Sequence, residues 1–328
     1  MLRHRNEFPV EGSLPAFDGA TAWLNSLPLQ PEELAGRVVV ASFGTYTCIN
    51  WIRSLPYVRA WADKFADQGL VVIGIQTPEF EFEAELDNVE RAIKEMDVRY
   101  PVVVDNAYAV WRAFDNHYWP ALYFVDSEGR IRHHHFGEGE YEESEMVLQT
   151  LLREAGLNVD QGLVAIEPTG IEAPADWADL GSAETYLGYE RAAGFASPGG
   201  AVLDERHIYS APADLRRNQW ALSGDWRISP VPARLNEAGG SISYQFHARD
   251  LHLVMGPPAG QAPMRFRISL DGELPGAARG IDVDENGNGT ADYQRMYQLV
   301  RQVGPIGDRL FRIEFLDAGV EAFVFTFG

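Results

Sequence analysis

The chain has one cysteine, Cys48, among 328 residues. An internal disulfide is therefore excluded: packing must hold the fold, and any disulfide that forms joins Cys48 to a partner or to a small thiol. Runs of about 18 apolar residues, long enough to cross a bilayer as a helix, are also missing. The opening MLRHRNEFPVEGSLPAF has basic residues but no apolar stretch behind them, so neither a signal peptide nor a membrane span is read. The expected location is cytoplasmic, with export or the periplasm expected instead if the chain is a processed fragment. Positive charge is scarce: 27 Lys and Arg face 48 Asp and Glu, for a formal charge of −21. Such a surface repels phosphate backbones and anionic lipid, which argues against nucleic acid as a partner. Repeats and low-complexity tracts are absent as well.

What is present follows two patterns. Over residues 38–155 strand-like and helix-like segments alternate, as expected for helices packed on a mostly parallel sheet. Residues 38–43 read as a buried strand. From Ile49 the apolar positions Ile52, Leu55, Val58, Trp61 or Ala62, and Phe65 recur every three or four residues until Gly69, predicting one amphipathic helix and its stop. Residues 70–76 and 102–104 read as further strands, with Leu86, Val89, Ile93 and Met96 marking a helix between them. Asp105-Asn106 caps a short helix through Phe114. Residues 121–125 and 131–136 flank Asp126-Ser127-Glu128-Gly129 as a hairpin, and a helix over 142–155 ends at Gly156.

Between 157 and 181 the text turns to Pro, Ala, Gly and acids without periodicity, which reads as a linker. Beyond it period-two alternation takes over, as in Ile242/Tyr244/Phe246, Met264/Phe266/Ile268/Leu270 and Phe323/Phe325/Phe327, separated by Gly, Pro and Asp turns. Many short strands without helices predict a β-sandwich of jelly-roll type over 182–328, after an α/β domain over 1–156.

Cys48 lies five residues past the first strand and directly before the amphipathic helix, where unpaired N–H groups and the helix dipole favour a thiolate. Eight residues on, Pro56 removes a helix hydrogen bond and predicts a kink. Trp119-Pro120 precedes the strand at 121–125, where a cis bond is expected facing the cysteine. Together these features resemble the thioredoxin superfamily. The segments TYTCINW, VVIGIQTPEFEFE, RYPVVVDNAYAVWRAF, YWPALYFVDSEGRIRHHHFGEGEY and FRIEFLDAGVEAFVFTFG resemble the thioredoxin-like ectodomain of the DipZ family. The resemblance implies a domain of the type shared by cytochrome-maturation thiol reductases and peroxiredoxins, with an extra segment around 79–117, then a jelly-roll domain like a carbohydrate-binding module.

Where that family carries C-x-x-C, this chain has Cys48-Ile49-Asn50-Trp51, so the resolving cysteine is missing. Thioredoxins also place a buried acid six residues before the first cysteine and a tryptophan four before it. Ser42 and Gly44 stand there instead. Glu79, on the carboxyl edge of the sheet, is the acid that remains as a catalytic candidate. Thr45 completes the T-x-x-C half of the peroxiredoxin pattern, in which a threonine hydroxyl and an arginine position peroxide. Ala41 replaces that pattern's proline, and the sequence leaves Arg53 and Arg112 both open as the guanidinium.

Each feature also has a plainer explanation. Trp51 plugs the space of the missing cysteine, with Asn50 and Trp119 beside it shaping the site. His133, His134 and His135 alternate across a strand and so do not converge on a metal. Asp282 to Asn288 opens like a calcium loop, but Tyr293 stands where a bidentate Glu is needed, and a hairpin turn at Asn286-Gly287 explains the segment better. Trp220 or Trp226, if exposed, would offer a sugar platform, although an aromatic in a sandwich is usually core.

The expected activity is thiol oxidoreduction through Cys48 alone, by monothiol exchange or peroxide reduction, without a cofactor. An external thiol, glutathione-like or a protein dithiol, resolves the product. The alternative is a catalytically silent module that recognises a protein or glycan through the thioredoxin-like surface and the C-terminal jelly roll.

Overall fold

The computed structural model describes residues 8–328, so the first seven residues of the basic opening lie outside it. Two compact units divide between Glu172 and Ala173. The first contains β1 (Gly12–Ser13), β2 (Ala22–Leu24), β3 (Val38–Gly44), α1 (Ile49–Phe65), β4 (Leu70–Gln76), α2 (Leu86–Glu95), β5 (Val102–Val104), α3 (Ala109–Ala113), β6 (Ala121–Val125), β7 (Arg130–Phe136) and α4 (Tyr141–Glu154). Its sheet runs β1-β7-β6-β3-β4-β5-β2. The central trio β3, β4 and β5 is parallel, and the outer strands pair antiparallel.

Every residue of β3, VVVASFG, is buried, as a central strand covered on both faces requires. Val39, Ala41 and Phe43 face a core with Ile73, Ile75, Val103, Tyr123 and Phe114. On the other side Trp61 of α1 meets Phe124 of β6, and α4 packs on β3 and β6. Pro56 lies within α1, which continues through it to Phe65. Gly69 takes φ +95°, the left-handed stop that its position after the helix predicts. Asp105 caps α3, its carboxylate accepting from the N–H of Val110 (3.0 Å) and Trp111 (2.8 Å).

The segment read as a linker stays with the first unit as far as Glu172. Buried Glu145 of α4 accepts from the Val164 N–H at 2.9 Å, and Arg59 of α1 pairs with Glu172 at 2.8 Å. The Glu145 carboxylate also accepts from Trp61 Nε1 (3.1 Å) and Lys64 Nζ (3.0 Å), so one acid joins the strap to two helices.

The second unit is all-β: β8 (Thr185–Tyr186), β9 (Arg206–Tyr209), β10 (Trp220–Ile228), β11 (Ala233–Leu235), β12 (Ser241–His247), β13 (Asp250–Gly256), β14 (Met264–Leu270), β15 (Asn288–Ala291), β16 (Arg295–Arg301), β17 (Asp308–Phe315) and β18 (Glu321–Phe327). The order is β15-β14-β17-β12-β10-β11-β18-β13-β16, with β9 on β10 and β8 on β18. Two layers close on one aromatic core, where Tyr244 of β12 and Phe311 of β17 meet Phe325 of β18 at centroid distances of 5.1 and 6.0 Å. Strand β10 belongs to both layers. Residues 220–223 pair with β12, while Trp226 onward pairs with β11. The crossing falls at Gly224, with φ +99°, where an added Cβ would lie 2.8 Å from the Gly240 Cα.

Trp220 and Trp226 are fully buried, with their indole N–H groups on the carbonyls of Ala193 and Ser223, so neither forms a sugar platform. Asp282 is taken by Arg295, and Asp284 by the backbone N–H groups of Asn286 and Asn288. The Asn286-Gly287 turn is not a two-residue hairpin as expected, because β14 and β15, the strands it would join, are separated by residues 271–287. His134 pairs with Glu11 on one face of β7, and His133 packs on Phe124 on the other. Among the described residues no three His, Cys, Asp or Glu side chains gather as a metal site.

Candidate active site

Cys48 is the N-cap of α1, half-buried, with extended backbone (φ −78°, ψ 112°). A turn closed by its N–H on the Thr45 carbonyl at 3.0 Å delivers it from β3, and its own carbonyl accepts the first helical bond from Ile52 at 3.0 Å. No acid occupies the first turn of α1, so the positive end of a 17-residue helix faces the sulfur without an opposing charge from that turn. The Trp119-Pro120 bond is cis, and Cys48 Sγ lies 3.9 Å from the Trp119 carbonyl oxygen. The Trp119 indole donates to the Thr77 carbonyl at 3.2 Å and packs against Trp111, tilted by 40° with ring centroids 4.4 Å apart, walling one side.

Trp51 is 4% exposed and lies on the end of β3: a Cβ built on Gly44 would come within 2.0 Å of its Cδ1. The departures from the thioredoxin pattern at positions 44 and 51 are thus complementary. A tryptophan absent from the strand end is supplied by the helix, and glycine makes the room. Trp51 Nε1 and the buried Ser42 Oγ find no hydrogen-bond partner among the described residues. Asn50 is half-buried in the same first turn of α1.

Thr45 is fully buried and accepts from Gln76 Nε2 at 2.9 Å. Its hydroxyl also hydrogen-bonds Glu83. Glu83, in a short 3-10 turn over Glu81–Ala84, is fully buried and collects donors on both oxygens. Oε1 takes the Thr47 hydroxyl (2.5 Å) and the Thr47 N–H (3.3 Å), while Oε2 takes the N–H groups of Glu79 (2.6 Å) and Phe80 (2.9 Å). Burial outweighs these bonds, and neighbouring Glu79 adds to it, so the Glu83 carboxyl is pushed up to about 6. Glu79, the acid singled out by sequence, is half-buried and joins the network through its backbone N–H.

Of the two arginines, Arg53 is buried and holds Glu138 at 3.1 Å, with side-chain exposures of 2% and 8%. Burial raises the Glu138 carboxyl although the guanidinium beside it opposes this. Arg112 is exposed on α3. Sequence reasoning missed Gln76, Glu83 and Glu138. In EFEFE the acids look alike, and only the 3-10 turn sends Glu83 inward.

Residues 12–134 match the AhpC/TSA family, and residues 182–328 match the family described as thioredoxin like C-terminal domain. Over 250 residues the chain is 34% identical to Protein DipZ of Mycobacterium bovis, covering 75% of this chain and 35% of DipZ. It therefore spans about a third of that relative's length. The thiol-disulfide oxidoreductase YkuV of Bacillus subtilis is 29% identical over 38% of this chain and 83% of its own length. A solved thioredoxin-like protein in the oxidised form is 28% identical, covering 44% of this chain and 96% of that one, with a TM-score of 0.41.

Proposed function

We propose, for a chain that is a DipZ homologue carrying a thioredoxin-like redoxin domain of the AhpC/TSA family followed by the all-β domain that matches the family described as thioredoxin like C-terminal domain, that Cys48 performs thiol–disulfide exchange alone. The Cys48 thiolate attacks one sulfur of a substrate disulfide, forming a mixed disulfide and expelling the other sulfur as a thiolate that takes a proton from water. An external thiolate, from a glutathione-like thiol or a protein dithiol, then attacks the substrate sulfur. That forms a new disulfide and returns Cys48 as thiolate. The observation that carries this reading is the placement of the only cysteine at the N-cap of α1, against the Trp119 carbonyl, with an indole where a resolving thiol would stand.

Exchange is favoured over peroxide reduction because the groups that would orient peroxide are engaged elsewhere. Thr45 is held between Gln76 and Glu83, Arg53 is paired with Glu138, and Arg112 lies exposed on α3. The test is intact-mass analysis after oxidised glutathione. One glutathione adduct per chain is expected, formed faster in the native protein than in the unfolded chain and absent in Cys48→Ser. Equal rates for native and unfolded protein would remove the enzyme reading and leave the silent binding module.

A further inference from the structure

The loop bearing Cys48 and the segment bearing Glu79 come from different crossovers of the sheet, and a single side chain ties them together. The Glu83 carboxylate bonds Thr47, the residue before the cysteine, through one oxygen and the N–H groups of Glu79 and Phe80 through the other. Three of those donors are backbone N–H groups that cannot turn round to accept, Thr47 on Oε1 and Glu79 and Phe80 on Oε2, so the arrangement is complete only when the carboxyl is ionised. A proton on it, or an amide in its place, sets donor against donor on one side and releases that link.

We propose that Glu83 is a positioning residue for Cys48, its ionised carboxylate fixing the Thr45–Cys48 turn so that the thiolate is presented at the helix start. This deepens the exchange reading and rests on it for its biological meaning. The titratable groups facing Glu83 are Glu79 on its own segment and Tyr108 at the start of α3, with Asp105 acting on Tyr108 behind it. Glu79 favours protonation of Glu83, and the Thr45 and Thr47 hydroxyls oppose it.

The test follows alkylation of Cys48 by iodoacetamide, a neutral probe, from pH 4.5 to 8 by intact mass, with circular dichroism confirming the fold at each pH. Thiolate formation alone gives a rate rising tenfold per pH unit below the thiol's own titration. With Glu83 required in its ionised form, the wild-type rate falls below that line under about pH 6, by about tenfold at pH 5. Glu83→Gln should lose the break and react roughly tenfold more slowly at pH 7.5. Thr47→Val keeps the charge and removes the hydroxyl link, so it should also slow the reaction and move the break to higher pH. Should Glu83→Gln fail to fold, the wild-type profile and Thr47→Val decide. A wild-type slope of one throughout overturns the proposal. So does, below the thiol's own titration, a slope shallower than one, which would mean the charge merely raises the thiol's pKa. Alkylation reads the geometry at Cys48 whatever its natural substrate, so it can fail while the glutathione test succeeds, and the reverse.

Discussion

At the scale of single residues, the pair Gly44 and Trp51 shows how the place of a second cysteine is filled without leaving a hole. The helix residue that would have been cysteine is an indole, and the strand residue beneath it has no side chain. Gly44→Ala is expected to cost about 1–3 kcal/mol by overpacking, and much less in a Trp51→Ala background, where the clashing ring is gone. Urea denaturation of the two single variants and the double variant measures the coupling. Additive effects would mean that the ring and the strand end do not depend on one another. Both departures can be read from the sequence, each by its offset from Cys48. That one fills the space of the other cannot, because seven residues and a turn separate them and only the fold brings them together. The same holds for Glu83. Its identity and spacing match those of its exposed neighbour Glu81, and the difference lies in which way a 3-10 turn faces.

Among the elements, long periodic segments were the most legible. The strand at 38–43, the helix from Ile49 and the helix ending near Gly156 all follow from spacing and stop residues, since burial on one face imposes a period. Strands of two or three residues, such as β1, β2 and β8, contain less than one repeat and leave no such trace. The aperiodic segment after Gly156 is instructive for the opposite reason. It lacks a pattern because it is held by polar contacts, among them the Val164 N–H on buried Glu145 and the Glu172–Arg59 ion pair, which impose no apolar period. Glu145→Ala strips the Val164 N–H, Trp61 Nε1 and Lys64 of their common acceptor, with an expected cost of about 3 kcal/mol. Limited proteolysis should then cut within 157–172, a stretch expected to be better protected in the wild type than 173–181. Unchanged cleavage in the variant would show that the strap is held by other contacts.

For the whole molecule the governing quantity is charge. At −21 the protein repels anionic reagents as well as phosphate backbones, and that repulsion is screened over about 8–10 Å at physiological salt. Adduct formation with oxidised glutathione, an anion, should therefore speed up several-fold between 10 and 200 mM sodium chloride. The reaction with the uncharged disulfide of 2-mercaptoethanol should change little. Stopped-time mass spectrometry at the two ionic strengths separates these outcomes, and a glutathione rate that falls with salt would point to a local cationic patch overriding the net field.

The second unit carries a consequence of its own in β10, which serves one layer up to residue 223 and the other from Gly224 onward. Two sheets stitched by one continuous strand cannot melt separately, because detaching either one strips half of the shared strand's ladder and exposes Trp220 or Trp226 to water. Amide protons of β10 should accordingly exchange only when the entire sandwich opens, making that strand the slowest-exchanging part of the domain and its two layers a single cooperative foldon.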